Sequence, residues 1–195
     1  AWRAGWGIVA LTPDTGGCPD TLAARETAAG GGLRLRRKLG PQGWSDVTKD
    51  AHLGSVKLTQ PRALAIADTR SAGEPDIVVT QLGGPPILLH AEGANAHNWM
   101  HIDLKSLSDN KTGIGTKVEI YAGSLYQKWE VAGASGYLGQ NSTSVLAGLG
   151  SEKEVEVVRP LWPTGVPQDE INLPVHQFNS IPPLDRPRLH PPAPF

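Results

Sequence analysis

The chain has 195 residues, 18 lysines plus arginines, 19 acidic residues and a formal net charge of −1. That balance excludes polyelectrolyte binding to nucleic acid or an anionic lipid surface as the main activity. The 23 glycines and 17 prolines, well above average usage, favour a chain that turns often over one built from long helices. The single cysteine, Cys18, excludes an internal disulfide and any paired-cysteine metal or redox site. No apolar run is long enough to cross a bilayer as a helix.

The chain starts at Ala1 rather than methionine, and Gly5-Trp6-Gly7-Ile8-Val9-Ala10-Leu11 follows as a strand pattern. The expectation is a removed leader or a piece of a longer product. A shift of about 56 residues then aligns Val9 to Leu22 with Ala65 to Val78, placing Gly17 on Gly73, Pro19 on Pro75 and Asp20 on Asp76. Each segment runs on through a strand, a glycine-rich turn (Gly30 to Gly32; Gly83 to Pro86) and a further strand (Leu33 to Arg36; Ile87 to His90). Strand, tight loop, strand, glycine turn, strand is the rhythm of a β-propeller blade. One such sheet needs neighbours to cover its faces.

The repeated loops, Thr12–Asp20 and Asp68–Asp76, have the length of a calcium loop, which places oxygen ligands at alternate positions around a sharp glycine turn. Asp14, Asp20, Asp68 and Asp76 are the acidic positions that remain. Thr12, Gly16, Arg70 and Ala72 stand where further oxygen ligands would be needed. The sequence therefore predicts degenerate loops without metal, with the Arg70 guanidinium standing in for a cation by pairing with Asp68 and Asp76.

From Asn98 the pattern changes. Met100, Ile102 and Leu104 alternate with His101, Asp103 and Lys105, the period of a half-buried strand. Val118 to Tyr121 and Tyr126 to Val131 flank Ala122-Gly123-Ser124 as a hairpin, and Val155 to Arg159 is another strand. These predict an antiparallel sandwich or small barrel. Trp44, Trp99, Trp129 and Trp162 are expected to anchor cores. From Ile181 to Phe195 proline density predicts an extended segment that builds no core of its own.

Chemistry-bearing residues are sparse. His97 and His101 are four apart, but a strand does not place that pair on one face. His101 and Asp103 share a strand face without a serine or cysteine in a nucleophile elbow. Cys18 lies in a turn before Pro19 with no basic neighbour and reads as an ordinary small residue. Gly113-Ile114-Gly115 lacks the third glycine of a dinucleotide fingerprint. Asn110-Lys111-Thr112 and Asn141-Ser142-Thr143 match glycosylation sequons, which matter only in a secreted eukaryotic chain.

Five ordered segments resemble a known family: Asn98-Trp99, Asn110-Lys111-Thr112-Gly113-Ile114-Gly115, Ser135-Gly136-Tyr137-Leu138-Gly139-Gln140-Asn141, Gly148-Leu149-Gly150 read as a turn, and a final turn Trp162-Pro163-Thr164-Gly165. Their order and spacing are similar to the ASPIC/UnbV domain, with Thr116 where the family has alanine and Gly139 where it has serine. The preceding segment resembles the FG-GAP or VCBS-type repeats that usually precede that domain in the cartilage acidic protein-like family. Asp46-Val47-Thr48 resembles the motif that closes such a blade.

The expected architecture is all-β. Two degenerate FG-GAP/VCBS-like blades occupy residues 1–96, an ASPIC/UnbV sandwich or barrel residues 97–175, and a Pro-rich extended tail residues 176–195. The resemblance implies an extracytoplasmic protein (periplasmic, cell-surface or secreted) and carries over no catalytic or cofactor-binding residue. The expected function is a non-catalytic interaction module. It would be an accessory subunit whose partners are other proteins, such as a membrane-bound respiratory or photosynthetic bacterial complex. The alternative is a calcium-dependent adhesion or matrix-binding protein. A hydrolase using His101 and Asp103 is a third class.

Overall fold

The computed structural model describes residues 3–13, 15–27, 30–93, 96–106 and 110–184. Among these the architecture is all-β: fourteen strands in four open sheets, with short 3₁₀ turns and no α-helix. Among the described residues no helix is long and apolar enough to cross a membrane.

The first sheet is an antiparallel meander of β1 (Arg3–Leu11), β2 (Asp20–Thr27), β3 (Gly30–Lys38) and β4 (Trp44–Asp46). The second repeats the plan with β5 (Pro61–Ala67), β6 (Asp76–Gln81) and β7 (Ile87–Leu89). The 56-residue repeat is written into the backbone. β1 ends at Leu11 and β5 at Ala67, while β2 begins at Asp20 and β6 at Asp76. Between them Thr15 and Ser71 both have left-handed φ (52° and 54°), as do Gly17 and Gly73 (88° and 75°). The two sheets share one core, in which Val9, Leu11, Leu22 and Leu35 meet Leu64, Ile77 and Val79.

The remaining strands form a sandwich. One sheet has the order β10-β9-β12-β13, from β9 (Lys117–Ala122), β10 (Leu125–Glu130), β12 (Val155–Leu161) and β13 (Glu170–Leu173). The other has the order β11-β8-β14, from β8 (Asn98–Leu104), β11 (Val145–Gly150) and β14 (Phe178–Ile181). A second core joins them, with Met100, Ile102 and Leu104 opposed by Val118, Ile120, Val155 and Val158. These sheets are open, so the arrangement is a sandwich and not a closed barrel.

Several expectations need correction. Gly148-Leu149-Gly150 is the end of strand β11, not a turn. Its small residues are selected by close packing, described below. β14 lies within the stretch read as a tail and pairs in parallel with β8. It is recruited because the alternating Asn179 and Ile181 are buried. Residues 182–184 are also tied in, since Gln168 Nε2 donates to the Pro182 carbonyl at 2.9 Å and the Leu184 N–H donates to Gln168 Oε1 at 2.9 Å. The Pro-rich segment from 185 onward lies outside the described residues. Trp99 and Trp162 are buried and Trp129 packs against the sandwich core. Trp44 does not anchor a core: it sits on the short edge strand β4, 47% exposed.

Candidate functional site

Strand β8 is buried on both faces, not one. Met100, Ile102 and Leu104 enter the sandwich core, while Trp99 and His101 are covered from the other side by the N-terminal sheet pair. The repeated loops and the ends of β1 and β5 meet the β8–β11 sheet along a junction. Thr15, fully buried, gives its carbonyl to the Gly150 N–H at 2.9 Å. Gln127 Nε2 donates to the Gly17 carbonyl at 2.8 Å and to the Gly148 carbonyl at 2.6 Å. In the second loop Gly73 lies against the indole of Trp99. The segment Ser135 to Ser142 crosses back over the N-terminal sheets. Asn141 Oδ1 accepts the Ile66 N–H at 2.9 Å, and Gly136 and Gly139 press on the carbonyls of Ile8 and Leu64.

The acidic loop positions are distributed as follows. Asp14 lies outside the described residues. Asp20 is buried and accepts the Lys38 N–H at 3.0 Å and Arg37 Nε at 3.4 Å. Asp68 accepts the Ala72 and Gly73 N–H groups at 2.9 and 2.7 Å, fixing the second loop's turn. Asp76 is fully buried and is met by Thr69 Oγ1, the Ala91 N–H (3.1 Å), His90 Nδ1 (3.2 Å) and Arg70 Nη2 (3.4 Å). Burial works to raise its pKa, but the hydrogen bonds from Thr69, Ala91 and His90 outweigh it and hold the carboxyl below the ordinary value. The parallel between Asp20 and Asp76 is close, since each accepts an N–H near the end of the third strand of its sheet.

Arg70 does not pair with Asp68 as expected, because both Asp68 oxygens serve backbone donors. Its Nη2 reaches Glu74 Oε2 at 2.7 Å, Asp76 at 3.4 Å and the Ala91 carbonyl at 2.9 Å. A guanidinium thus sits among oxygens of the second loop. Arg70→Ala strips one partner from two buried carboxylates, and a loss of about 1–2 kcal/mol is expected, measured by urea unfolding. An unchanged midpoint would show that Arg70 is not structural.

The sandwich side of the junction holds His101, Asp103 and Ser144. Ser144 Oγ donates to Asp103 Oδ1, and His101 Nδ1 is 3.8 Å from the same oxygen, too far for a hydrogen bond. Sequence reading missed Ser144 because the pair is made only by the β8–β11 register, which places Val145 opposite Ile102. The order of contacts is not that of a nucleophilic triad, in which the imidazole stands between serine and carboxylate. Burial pushes the His101 imidazole below its ordinary value, with Asp103 and Asp68 pulling the other way. His97 precedes β8 and is exposed, so it does not join His101 in the junction. Cys18 is exposed. Among the described residues no cluster of three His, Cys, Asp or Glu side chains could hold a metal ion.

The family motifs have local physical reasons. Asn110 closes its turn from both sides, Oδ1 accepting the Ile114 N–H at 2.9 Å and Nδ2 donating to the Ile114 carbonyl at 2.7 Å. Gly113 and Gly115 take the left-handed φ values, 65° and 89°, that the turn requires. Trp162 is buried with its Nε1–H on Gln168 Oε1 at 3.1 Å. Thr116 is fully buried with Oγ1 unpartnered. Replacing that hydroxyl by a methyl group relieves an unsatisfied polar atom without leaving a cavity, so Thr116→Val is expected to stabilise the chain by about 1 kcal/mol. A lower melting temperature would contradict this.

The fold and junction define an all-β protein in which a pair of repeated small sheets is clamped to a β-sandwich. Residues 106–186 match the family model described as ASPIC and UnbV, and this stretch is an ASPIC/UnbV domain. β8, which precedes the matched residues, completes its sheet by pairing with β11 and β14. No curated protein matches the chain.

Proposed function

We propose that the chain is a non-catalytic, extracytoplasmic interaction module, an accessory or scaffolding subunit on the outer face of a larger bacterial assembly, such as a membrane-bound respiratory or photosynthetic complex. In this reading the two N-terminal sheets are degenerate FG-GAP/VCBS-type propeller blades, and the Pro-rich end runs along a neighbouring subunit. The observation that carries it is the open state of the blade sheets, since an open sheet offers its edge and its uncovered face to another chain. Apolar side chains stand exposed there. Ile8 is 56% exposed on β1, and Tyr137 and Leu138, 69% and 56% exposed, stand on the segment that crosses it. Isolated exposed apolar residues are ordinary, but several in one crossing segment mark a contact surface.

The test is recovery of partners from the source membrane fraction with the full chain and with a Tyr137→Ser, Leu138→Ser variant. Both positions are exposed, so the variant should fold. Loss of a stoichiometric partner in the variant supports the proposal. A wild-type chain that runs as an inert monomer and recovers the same proteins as the variant overturns it.

A further inference from the structure

The water-facing side of an antiparallel sandwich sheet ordinarily shows polar residues. The outer face of sheet β10-β9-β12-β13 departs from that. Strand register sets Tyr126 opposite Tyr121, Tyr121 opposite Val157 and Val157 opposite Ile171, so one apolar row crosses all four strands. Tyr126 is 53% and Ile171 65% exposed. A contiguous row of this kind marks a contact surface.

The adjacent row is charged. Lys128 stands opposite Glu119, and Glu119 opposite Arg159. Lys128 Nζ lies 3.1 Å from Glu119 Oε1, and Arg159 grips Asp169 through Nε and Nη2 at 2.6 and 3.1 Å. Both tyrosine hydroxyls donate to Glu119, at 3.1 and 3.2 Å, and the Arg159 guanidinium lies 5.8 Å from the centre of the Tyr121 ring. These side chains are already held in place, so binding to them orders little that was free.

The order of the charges selects the occupant. From β10 to β13 the row reads positive, negative, positive, negative. A uniformly acidic or basic partner would meet its own sign at every second position. A second copy of the chain does not, if it is related by a two-fold axis parallel to the strands and midway between β9 and β12. That operation reverses the row. Lys128 then faces the partner's Asp169, and Glu119 faces the partner's Arg159. The apolar row is matched at the same time, Tyr126 to the partner's Ile171 and Tyr121 to the partner's Val157. An axis lying along the row would instead set like charge on like. Aligned face-to-face packing of two twisted sheets has the required geometry.

We propose that this face is the interface of a symmetric homodimer, in which two copies pack their β10-β9-β12-β13 sheets against each other. Four short strands offer less than the about 800 Å² per copy of a standard interface, so the dimer is a reversible one. The proposal does not rest on the interaction-module reading, whose contact surface is on the N-terminal sheets and the segment crossing them.

The experiment is sedimentation equilibrium of the full chain, with the melting temperature of each variant as the check on folding. The wild type is expected to pass from monomer towards dimer mass between about 5 and 500 µM. Ile171→Asp should remain monomeric over that range, and Tyr126→Ser replaces it if its melting temperature falls. Lys128 and Asp169 have side chains 51% and 48% exposed, so both tolerate substitution. Lys128→Asp and Asp169→Lys each set like charges together across the two-fold axis, and each alone should self-associate at least about tenfold more weakly. An equimolar mixture of these two variants restores opposite charges at both contacts and should recover the dimer, a result that a purely structural role for either residue would not give. A wild type that is monomeric throughout, variants that associate as well as the wild type, or a mixture no better than its separate components overturns the proposal.

Discussion

Gly148→Ala is expected to lower the stability of the folded chain by about 2–3 kcal/mol, the cost of forcing a methyl group into a packed contact. A Cβ at Gly148 would lie 2.6 Å from the Thr15 Cα, carbonyl carbon and oxygen. These are backbone atoms, so no side chain can rotate away. The backbone of Thr15 is itself held by its carbonyl, which accepts the Gly150 N–H, and by its left-handed φ of 52°. Relief must come from moving the first repeated loop off β11, which also breaks the bond from Gln127 Nε2 to the Gly17 carbonyl. The loss therefore falls on the junction rather than on either core. Thermal unfolding should change from one transition towards two, as the N-terminal core and the sandwich core lose their coupling. Gly32→Ala is the control. Its added Cβ meets nothing nearer than 4.0 Å, and its expected effect is within about 0.5 kcal/mol. Equal behaviour of the two variants would show that the Thr15–Gly148 approach carries no energy.

The parts of this structure set by local periodicity were legible in the sequence. The alternation of Met100, Ile102 and Leu104 predicts their burial, and the Gly123 turn predicts the β9–β10 hairpin. The 56-residue repeat predicts matched loops, which the paired left-handed residues show. What was not legible depends on contacts between distant segments. β8 reads as half-buried because its own period says nothing about the loop that lands on Trp99. β11 reads as a turn because its glycines, chosen for close approach to Thr15, look like turn residues in a single sequence. Ser144 and Asp103 are 41 positions apart and meet only through strand register. The acidic loop positions were recognised, but half of the donors that engage them are backbone N–H groups, which no residue pattern announces.

Trp99→Ala is expected to cost about 3–5 kcal/mol, the range for deleting a buried indole, and a double-mutant cycle with Gly73 shows where the cost lies. Trp99 is buried under the second loop, with His176 and Phe178 edge-on at ring separations of 5.7 and 6.3 Å. A Cβ on Gly73 would fall 2.0 to 2.4 Å from three indole atoms, so Gly73→Ala alone cannot be accommodated without displacing the ring or the loop. Gly73 also has φ of 75°, which costs an alanine about 1–2 kcal/mol wherever it occurs. Removing the indole abolishes the clash and leaves only this backbone strain. Gly73→Ala should therefore be strongly destabilising in the native chain and cost about 1–2 kcal/mol in the Trp99→Ala background. The difference is the coupling energy of the loop–indole contact. Additive effects would mean that the second repeated loop does not rest on Trp99 in solution. A large coupling would mean that the N-terminal sheet pair and the β-sandwich are clamped twice, once through each copy of the repeated loop.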